Sequence, residues 1–392
     1  MNPVQSADEH HRDVSQQTLE QPQDADRRSK SAARGGRVLS VLLATCVLGY
    51  LAAVVGVWVL MWSAGDRTWP ATLALFGPRW VYALPLLALA PAVLAWRRVL
   101  VVPLAAGAVI ALGPIMGFSM PWGRLSGVQE SELRVVTFNV EGGSVTEEEF
   151  KQLLTELEPD VVAVQEYDPS ARWRIPEPWH VCRSGELMVV SRFPIERFEV
   201  SRCAWPPQRY EDQNGLYCTL RTPQGPVGFC NVHLDTPRKA LGSVLNSETV
   251  ITWSNTDYAE ERIEFRRRES ADMAEWLKSF DEPMIIAGDF NMPVDSLIYR
   301  EYWSGFDNAF SRTGFGYGYT KMTTIRRVRF GTRIDHVLTD STWRPTHSWL
   351  GPRMGSDHRP LVAELAWNGD ARTSRTIDSQ PQGADHGVAR SR

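Results

Sequence analysis

The stretch IIAGDFNMP, Ile285 to Pro293, decides how the rest of the chain is read. An apolar run stops at Gly288 and is followed by a carboxylate and a carboxamide, Asp289 and Asn291. A short apolar run bounded by turn residues reads as a buried strand. Polar groups delivered at the end of such a strand mark a place where chemistry is assembled, because loops at one edge of a sheet carry most sites.

Other segments end the same way. LRVVTFNV, from Leu133, alternates with β-branched residues and ends near Asn139. In SVTEEEFKQLLTELEPD, Thr146 and Glu149 form a capping-box pattern. Phe150, Leu153, Leu154 and Leu157 share one helical face, and Pro159 stops the helix. VVAVQE is a short buried strand that ends on Glu166. ELMVVSRFPI, RFEVSRC, GLYCTLRT and VGFCNVHL read as four more strands, the last leading to His233. A second amphipathic helix is predicted between Asp257 and Ser279. RIDHVLTD contributes Asp335, and GSDHRP, before the strand LVAEL, contributes Asp357 and His358. Strands outnumber helices and helices fall between strands, which predicts an α/β domain with mixed sheets.

The donor inventory has a chemical logic. Oxygen donors without a cysteine or histidine cluster suit Mg²⁺, with Mn²⁺ as the alternative, rather than Zn²⁺. Two histidines can move protons or hold phosphate near neutral pH. A carboxylate beside a carboxamide can orient a water. Together these fit metal-assisted attack of water on a phosphoester.

With TFNV, VVAVQE, VVSRFPI, NVHLD, IIAGDFN, RIDHVL and GSDHRPLVAEL in this order, the chain resembles the endonuclease/exonuclease/phosphatase superfamily from about Leu133 to Leu365. The resemblance implies a four-layer sandwich: two mixed β-sheets packed face to face, flanked by helices. It also implies roles. Asn139, Glu166 and Asp357 match metal-site residues. Asp289 and Asn291 match the pair that positions the attacking water and contacts phosphate. His358 matches the catalytic histidine and Asp335 the carboxylate that orients it. His233 matches the second histidine, which binds phosphate or assists the leaving oxygen. Glu186 is a candidate to pair with His233, as a glutamate near this point does in the nuclease branch. Arg238, with Lys239 beside it, is a candidate for the phosphate edge.

The N-terminal third has a different character. Val38–Trp62 carries no charge and is long enough to cross a hydrocarbon core of about 30 Å. Shorter apolar runs cover Trp80–Trp96 and Val99–Phe118. A cleaved signal peptide would be short and N-terminal, whereas this first run follows more than thirty mostly polar residues. The reading is a membrane anchor of three transmembrane helices. Residues 1–36 and 369–392 are polar and without apolar period, so both are expected as disordered tails. The catalytic domain is expected over 129–367. Arg27, Arg28, Lys30, Arg34 and Arg37 precede the first span, and Arg97 and Arg98 join the second to the third. The positive-inside rule puts these in the cytoplasm and the domain outside it. The lipid bilayer is thus an expected partner, alongside a phosphoester substrate.

An exported domain permits disulfides. Four cysteines follow the last span: Cys182, Cys203, Cys218 and Cys230. Counting outward from Gln224 sets Cys218 opposite Cys230 and leaves Cys182 for Cys203. The formal net charge of −4 argues against a bulk nucleic-acid binder, and spans with few internal polar groups argue against a transporter. The predicted activity is hydrolysis of a phosphodiester of nucleic acid, phospholipid or a small phosphoester by an anchored, Mg²⁺-dependent enzyme. An inactive receptor or scaffold on the same fold would lack part of the polar set, and none of it is missing.

Overall fold

A computed structural model of the chain describes residues 9–123, 130–202, 213–237, 256–325 and 327–369. Contacts divide the chain into two units, Met1–Gly56 with Val81–Ala111, and Val57–Trp80 with Leu112–Arg392.

Helix α1 (Glu9–Ala64) extends N-terminally of the first apolar run, so residues 9–36, expected as a disordered tail, are helical here. Propagating a helix that already exists adds one hydrogen bond per residue and avoids the cost of a new nucleus. The short helix α2 (Trp69–Phe76) follows, then α3 (Leu84–Trp96) and α4 (Val101–Ile110). Among the described residues three helical stretches are long and apolar enough to cross a membrane: Arg34–Arg67, Arg79–Trp96 and Arg98–Ile115. Within the first unit Tyr50 Oη donates to the Tyr82 carbonyl at 3.0 Å. Gly107 leaves the room that this ring needs, since a Cβ there would lie 2.9 Å from it.

Among the described residues the second unit holds fourteen strands: β1 (Leu133–Asn139), β2 (Val161–Gln165), β3 (His180–Ser184), β4 (Leu187–Ser191), β5 (Ile195–Arg202), β6 (Gln213–Thr222), β7 (Gly225–His233), β8 (Met284–Asp289), β9 (Asp307–Asn308), β10 (Lys321–Ile325), β11 (Val328–Thr332), β12 (Asp335–Thr339), β13 (Trp343–Leu350) and β14 (Leu361–Trp367). One six-stranded sheet has the order β13-β14-β1-β2-β4-β3 and the other β5-β6-β7-β8-β12-β9, while β10 and β11 form a separate ribbon. Both large sheets are mixed, because β1 runs parallel to β2 and β7 parallel to β8. Each parallel pair needs a crossover. Helix α5 (Glu147–Leu157) makes the first, and α6 (Thr256–Leu277) lies in the second. Two short helices, α7 (Leu297–Tyr302) and α8 (Ala309–Thr313), follow β8.

Period-2 alternation explains the layers. Val135 and Val161 point inward and pack with Leu216, Phe229, Ile285 and Val337 of the other sheet. Their neighbours Val136 and Val162 point outward and pack against Phe150, Leu153 and Leu154 of α5. Helix α5 starts with the capping box that Thr146 and Glu149 predict.

The cysteine pairing needs correction. The β6–β7 hairpin closes with Thr222 opposite Gly225, so Cys218 faces Phe229 and Cys230 faces Tyr217. The turn centre falls between Pro223 and Gln224 instead of on Gln224. That half-residue difference puts Cys218 and Cys230 on opposite faces of the sheet. Both are free thiols, as is Cys182. Cys182 and Cys218 share the core between the sheets, and Cys203, the expected partner of Cys182, lies outside the described residues.

Candidate active site

The site forms where strand ends of the two sheets meet. In sheet two, the register sets His233 beside Asp289 and Asp289 beside Asp335, so three polar residues share one row. In sheet one, Asn139 pairs with Gln165, the residue before Glu166. Below them a buried chain ties the sheets together. Thr137 Oγ1 donates to Gln165 Oε1 at 3.3 Å, Gln165 Nε2 to Asn231 Oδ1 at 2.7 Å, and Asn231 Nδ2 to the Val164 and Met188 carbonyls at 2.8 and 3.0 Å. Buried polar groups satisfied in this way specify one relative placement of the sheets.

Gly288 explains the abrupt end of the IIAGD run. A Cβ at this position would lie 1.9 Å from the Val232 carbonyl oxygen, so only glycine lets β8 approach β7. The chain then turns sharply. Asn291 has φ 51°, and Glu166 has φ 52°. Left-handed backbone in residues other than glycine costs energy and is held by its surroundings. Asn291 is held on every side. Its amide donates to Asp289 Oδ1 at 2.8 Å, its Nδ2 to the Leu234 carbonyl at 2.8 Å, and its own carbonyl accepts from Arg266 Nη2 at 2.9 Å.

Asp289 Oδ2 is the pivot of the cluster. It accepts from Asn139 Nδ2 at 3.1 Å and lies 3.7 Å from His358 Nε2 and 4.0 Å from His233 Nε2. Asn139 Nδ2 also reaches Glu166 Oε1 at 2.8 Å, and His233 Nε2 lies 3.6 Å from that same oxygen. His358 Nδ1 contacts Asp335 at 3.0 Å, which makes Nδ1 the protonated nitrogen. The loop carrying His358 is tied to β1, since Ser356 Oγ donates to the Asn139 carbonyl at 2.8 Å and Asp357 N to Glu141 Oε2 at 2.8 Å.

Charge is unevenly distributed. Burial pushes the Asp289 pKa up, and Asp335 adds to the rise. Burial also acts to raise Asp335, but the charge and hydrogen bond of His358 outweigh it and hold Asp335 below the ordinary range. Burial acts to lower His358, but Asp335 and Asp289 outweigh it and hold its pKa high. Glu166, His233 and Asp289 offer ligand atoms that all lie within 4.8 Å of one another, as do Asp289, Asp335 and His358. Crowded carboxylates, with burial disfavouring their charge, fit a hard divalent cation. Asn139 turns its Nδ2 to this cluster and accepts from Glu141 N on Oδ1 at 3.0 Å, and Asp357 Oδ1 accepts from Lys321 Nζ at 2.9 Å.

The structure thus gathers Asn139, Glu166, His233, Asp289, Asn291, Asp335, Asp357 and His358. It does not bring Glu186 to His233. Glu186 is exposed on the β3–β4 turn, where its carbonyl accepts from Tyr167 N at 2.9 Å, and Glu166 faces His233 instead. Arg238 and Lys239 lie outside the described residues.

Two cations were missed by sequence reasoning. Lys321 is buried, with Nζ 2.7 Å from His358 Nε2 and 2.9 Å from Asp357 Oδ1. A lysine opening a strand carries no local signal of this. Arg266 is 1% exposed and donates to the Asp235 and Asn291 carbonyls. Its signal was present in the run Arg266–Arg268. Three consecutive residues span about 200° of a helix, so one turned inward while Arg267 and Arg268 pair with Glu301 and Glu264 on the surface.

A family model described as the Endonuclease/Exonuclease/phosphatase family matches residues 136–358. No curated protein matches the chain. Among solved structures, D. rerio TDP2 complexed with single-strand DNA product is 16% identical, with 60% of this chain and 100% of that one covered and a TM-score of 0.46. The 3′ phosphatase NExo from Neisseria, bound to a product DNA hairpin, is 17% identical over 60% of this chain and 100% of its own, with a TM-score of 0.47. The human Nocturnin catalytic domain with bound sulfate is 16% identical over 64% and 100%, with a TM-score of 0.42. At these identities and scores they carry no argument about substrate. The family match spans more than half of the chain, from β1 to His358, and on that ground the chain belongs to the endonuclease/exonuclease/phosphatase family.

Proposed function

We propose that the chain is a membrane-anchored, metal-dependent phosphodiesterase that works outside the cytoplasm. The observation that carries this reading is the position of Asp289 Oδ2, within 4.0 Å of both histidines and hydrogen-bonded to Asn139. An attacking water held at that oxygen faces His358 on one side and His233 on the other. Asp335 fixes the imidazole of His358 through Nδ1, which leaves Nε2 beside Lys321 Nζ and 3.7 Å from Asp289 Oδ2. The proton passes to the Asp289–His358 pair. Asn291, locked in its left-handed turn, orients the phosphoryl group, and His233 assists departure of the leaving oxygen. Arg238 is a further candidate on the phosphate edge.

Glu166, Asn139 and Asp357 are the residues that would hold Mg²⁺ or Mn²⁺, with Asp289 adjoining. Such an ion, when bound, supplies positive charge to phosphoryl oxygens. The three apolar helices and the basic residues at Arg34, Arg37, Arg97 and Arg98 support an anchor with the catalytic unit outside.

The test is hydrolysis by the full chain in detergent with Mg²⁺, offered supercoiled plasmid, phospholipid and a small diester. His358→Ala and an EDTA-treated sample run alongside. Turnover lost in both controls supports the reading. Turnover unchanged in His358→Ala overturns the site. A reporter fused after Leu365 that is active only in the cytoplasm overturns the orientation.

A further inference from the structure

The connection between the first two candidate membrane helices packs onto the catalytic fold. Asp66 is 1% exposed. Its carboxylate accepts from Ser296 Oγ at 2.6 Å and from Leu297 N at 2.9 Å, at the start of α7. At the other end of the connection, Arg79 donates to the Leu75 carbonyl and to Asp295 Oδ2, both at 2.8 Å. Both ends therefore hold the loop that follows Asn291. Between them, the Phe76 ring lies 5.3 Å from the Arg266 guanidinium, the same group that donates to the Asn291 carbonyl. One cation joins the membrane connection to the catalytic turn.

Phe76 also faces a cavity of about 390 Å³. Asn291, Lys321 and Asp357 of the catalytic site line its polar part, and Phe76, Met322 and Phe330 line its apolar part. The β10–β11 ribbon makes the wall that carries Met322 and Phe330. Its tip exposes Ile325 and Val328, with Arg327 and Arg329 exposed beside them. Apolar residues flanked by arginines suit the surface of an anionic bilayer, where the side chains enter the headgroup layer and the charges meet phosphate.

We propose that the Gly65–Phe76 connection is part of the substrate cleft, and that the wall it forms with the β10–β11 ribbon receives the apolar part of a phospholipid whose phosphodiester lies at Asn291 and Lys321. This rests on the phosphodiesterase reading above and names its substrate class. Two features favour a lipid over a nucleic acid. The wall beside the catalytic residues carries Phe76, Met322, Ile325 and Phe330. Phe76 lies between the end of one candidate span at Arg67 and the start of the next at Arg79.

The experiment uses the full chain in detergent with Mg²⁺. Substrates are mixed phosphatidylglycerol–phosphatidylcholine micelles, methyl p-nitrophenyl phosphate and a single-stranded oligonucleotide. Phe76→Ala, Phe76→Leu and His358→Ala are compared with wild type. The expected result is phospholipid turnover that falls about tenfold more in Phe76→Ala than turnover of the methyl diester does, as loss of an aromatic apolar contact implies. Phe76→Leu restores most of the lipid activity. An equal fall on both substrates, with no rescue by leucine, makes Phe76 merely structural and overturns the proposal. So does oligonucleotide cleavage without lipid cleavage. If His358→Ala matches wild type on every substrate, the phosphodiesterase reading itself fails and takes this inference with it.

Discussion

Lys321 Nζ lies 2.7 Å from His358 Nε2, while Asp335 holds Nδ1 of the same ring at 3.0 Å. An ammonium has only hydrogens to donate, so the contact is made to an Nε2 that carries none. A charged Lys321 donating to a neutral Nε2 satisfies it, with the Nδ1 proton directed at Asp335.

That relationship predicts the behaviour of Lys321→Met. Losing a charge-assisted hydrogen bond of about 1.5–3 kcal/mol lowers kcat/KM by roughly ten- to a hundredfold. The pH profile moves as well. Lys321 opposes protonation of His358, whereas Asp335 and Asp289 favour it. Without the lysine the His358 pKa rises, and the acidic limb of activity shifts to higher pH. Initial rates across the acid range measure this, and an unmoved limb would separate Lys321 from His358.

Gly288→Ala is expected to disrupt the fold. Its Cβ would meet the Val232 carbonyl oxygen, a backbone atom that cannot turn aside. Overpacking commonly costs about 1–3 kcal/mol, and a backbone clash belongs at the upper end or above. A thermal scan of the purified variant tests this, and a midpoint equal to wild type would refute the close β7–β8 approach.

Glu269 of α6 makes stability depend on pH. Burial pushes its pKa from the ordinary 4.5 up to about 8. The folded state therefore binds more protons than the unfolded chain in this interval. The contribution of Glu269 to stability is fully present below about 4.5 and is lost as pH rises toward 8, with a slope of up to about 1.4 kcal/mol per pH unit. Glu269→Gln removes that contribution. Thermal midpoints across the interval should show a flatter profile for the variant, and parallel profiles would contradict the shift.

Alkylation of denatured, unreduced protein should label Cys218 and Cys230, because both are free thiols. Mass spectrometry of the peptides decides it. A bridge between the two would leave both unlabelled and would require a different β6–β7 register.

Much of the candidate site was legible because its signals are local. Asn139, Glu166, His233, Asp289 and Asn291 each close or follow an apolar run, and a strand's burial pattern shows where such a run ends. The capping box at Thr146 and Glu149 is equally local, as both partners lie within one helical turn. Three long apolar stretches announce themselves by length and composition.

Other features depended on packing between distant segments. The Cys218–Cys230 register turned on half a residue in a turn, too fine for a count along the chain. Lys321 became part of the site only when the ribbon met the His358 loop, and Glu166 displaced Glu186 because its strained turn aims it at His233. Asp66 and Arg266 lie 200 residues apart, with Nη1 and Oδ2 at 3.8 Å in the fold. By itself, then, the sequence determined nine of the strands, the capping box of α5 and the order of the polar strand ends, but not β3, β9, β10, β11 or β13, because hydrogen-bond geometry and hydrophobic periodicity act between near neighbours. Only the tertiary structure decided which buried cations reach the site and that Asp66 holds the start of α7 while Phe76 meets Arg266, because burial and charge pairing are settled by whatever the folded chain brings alongside.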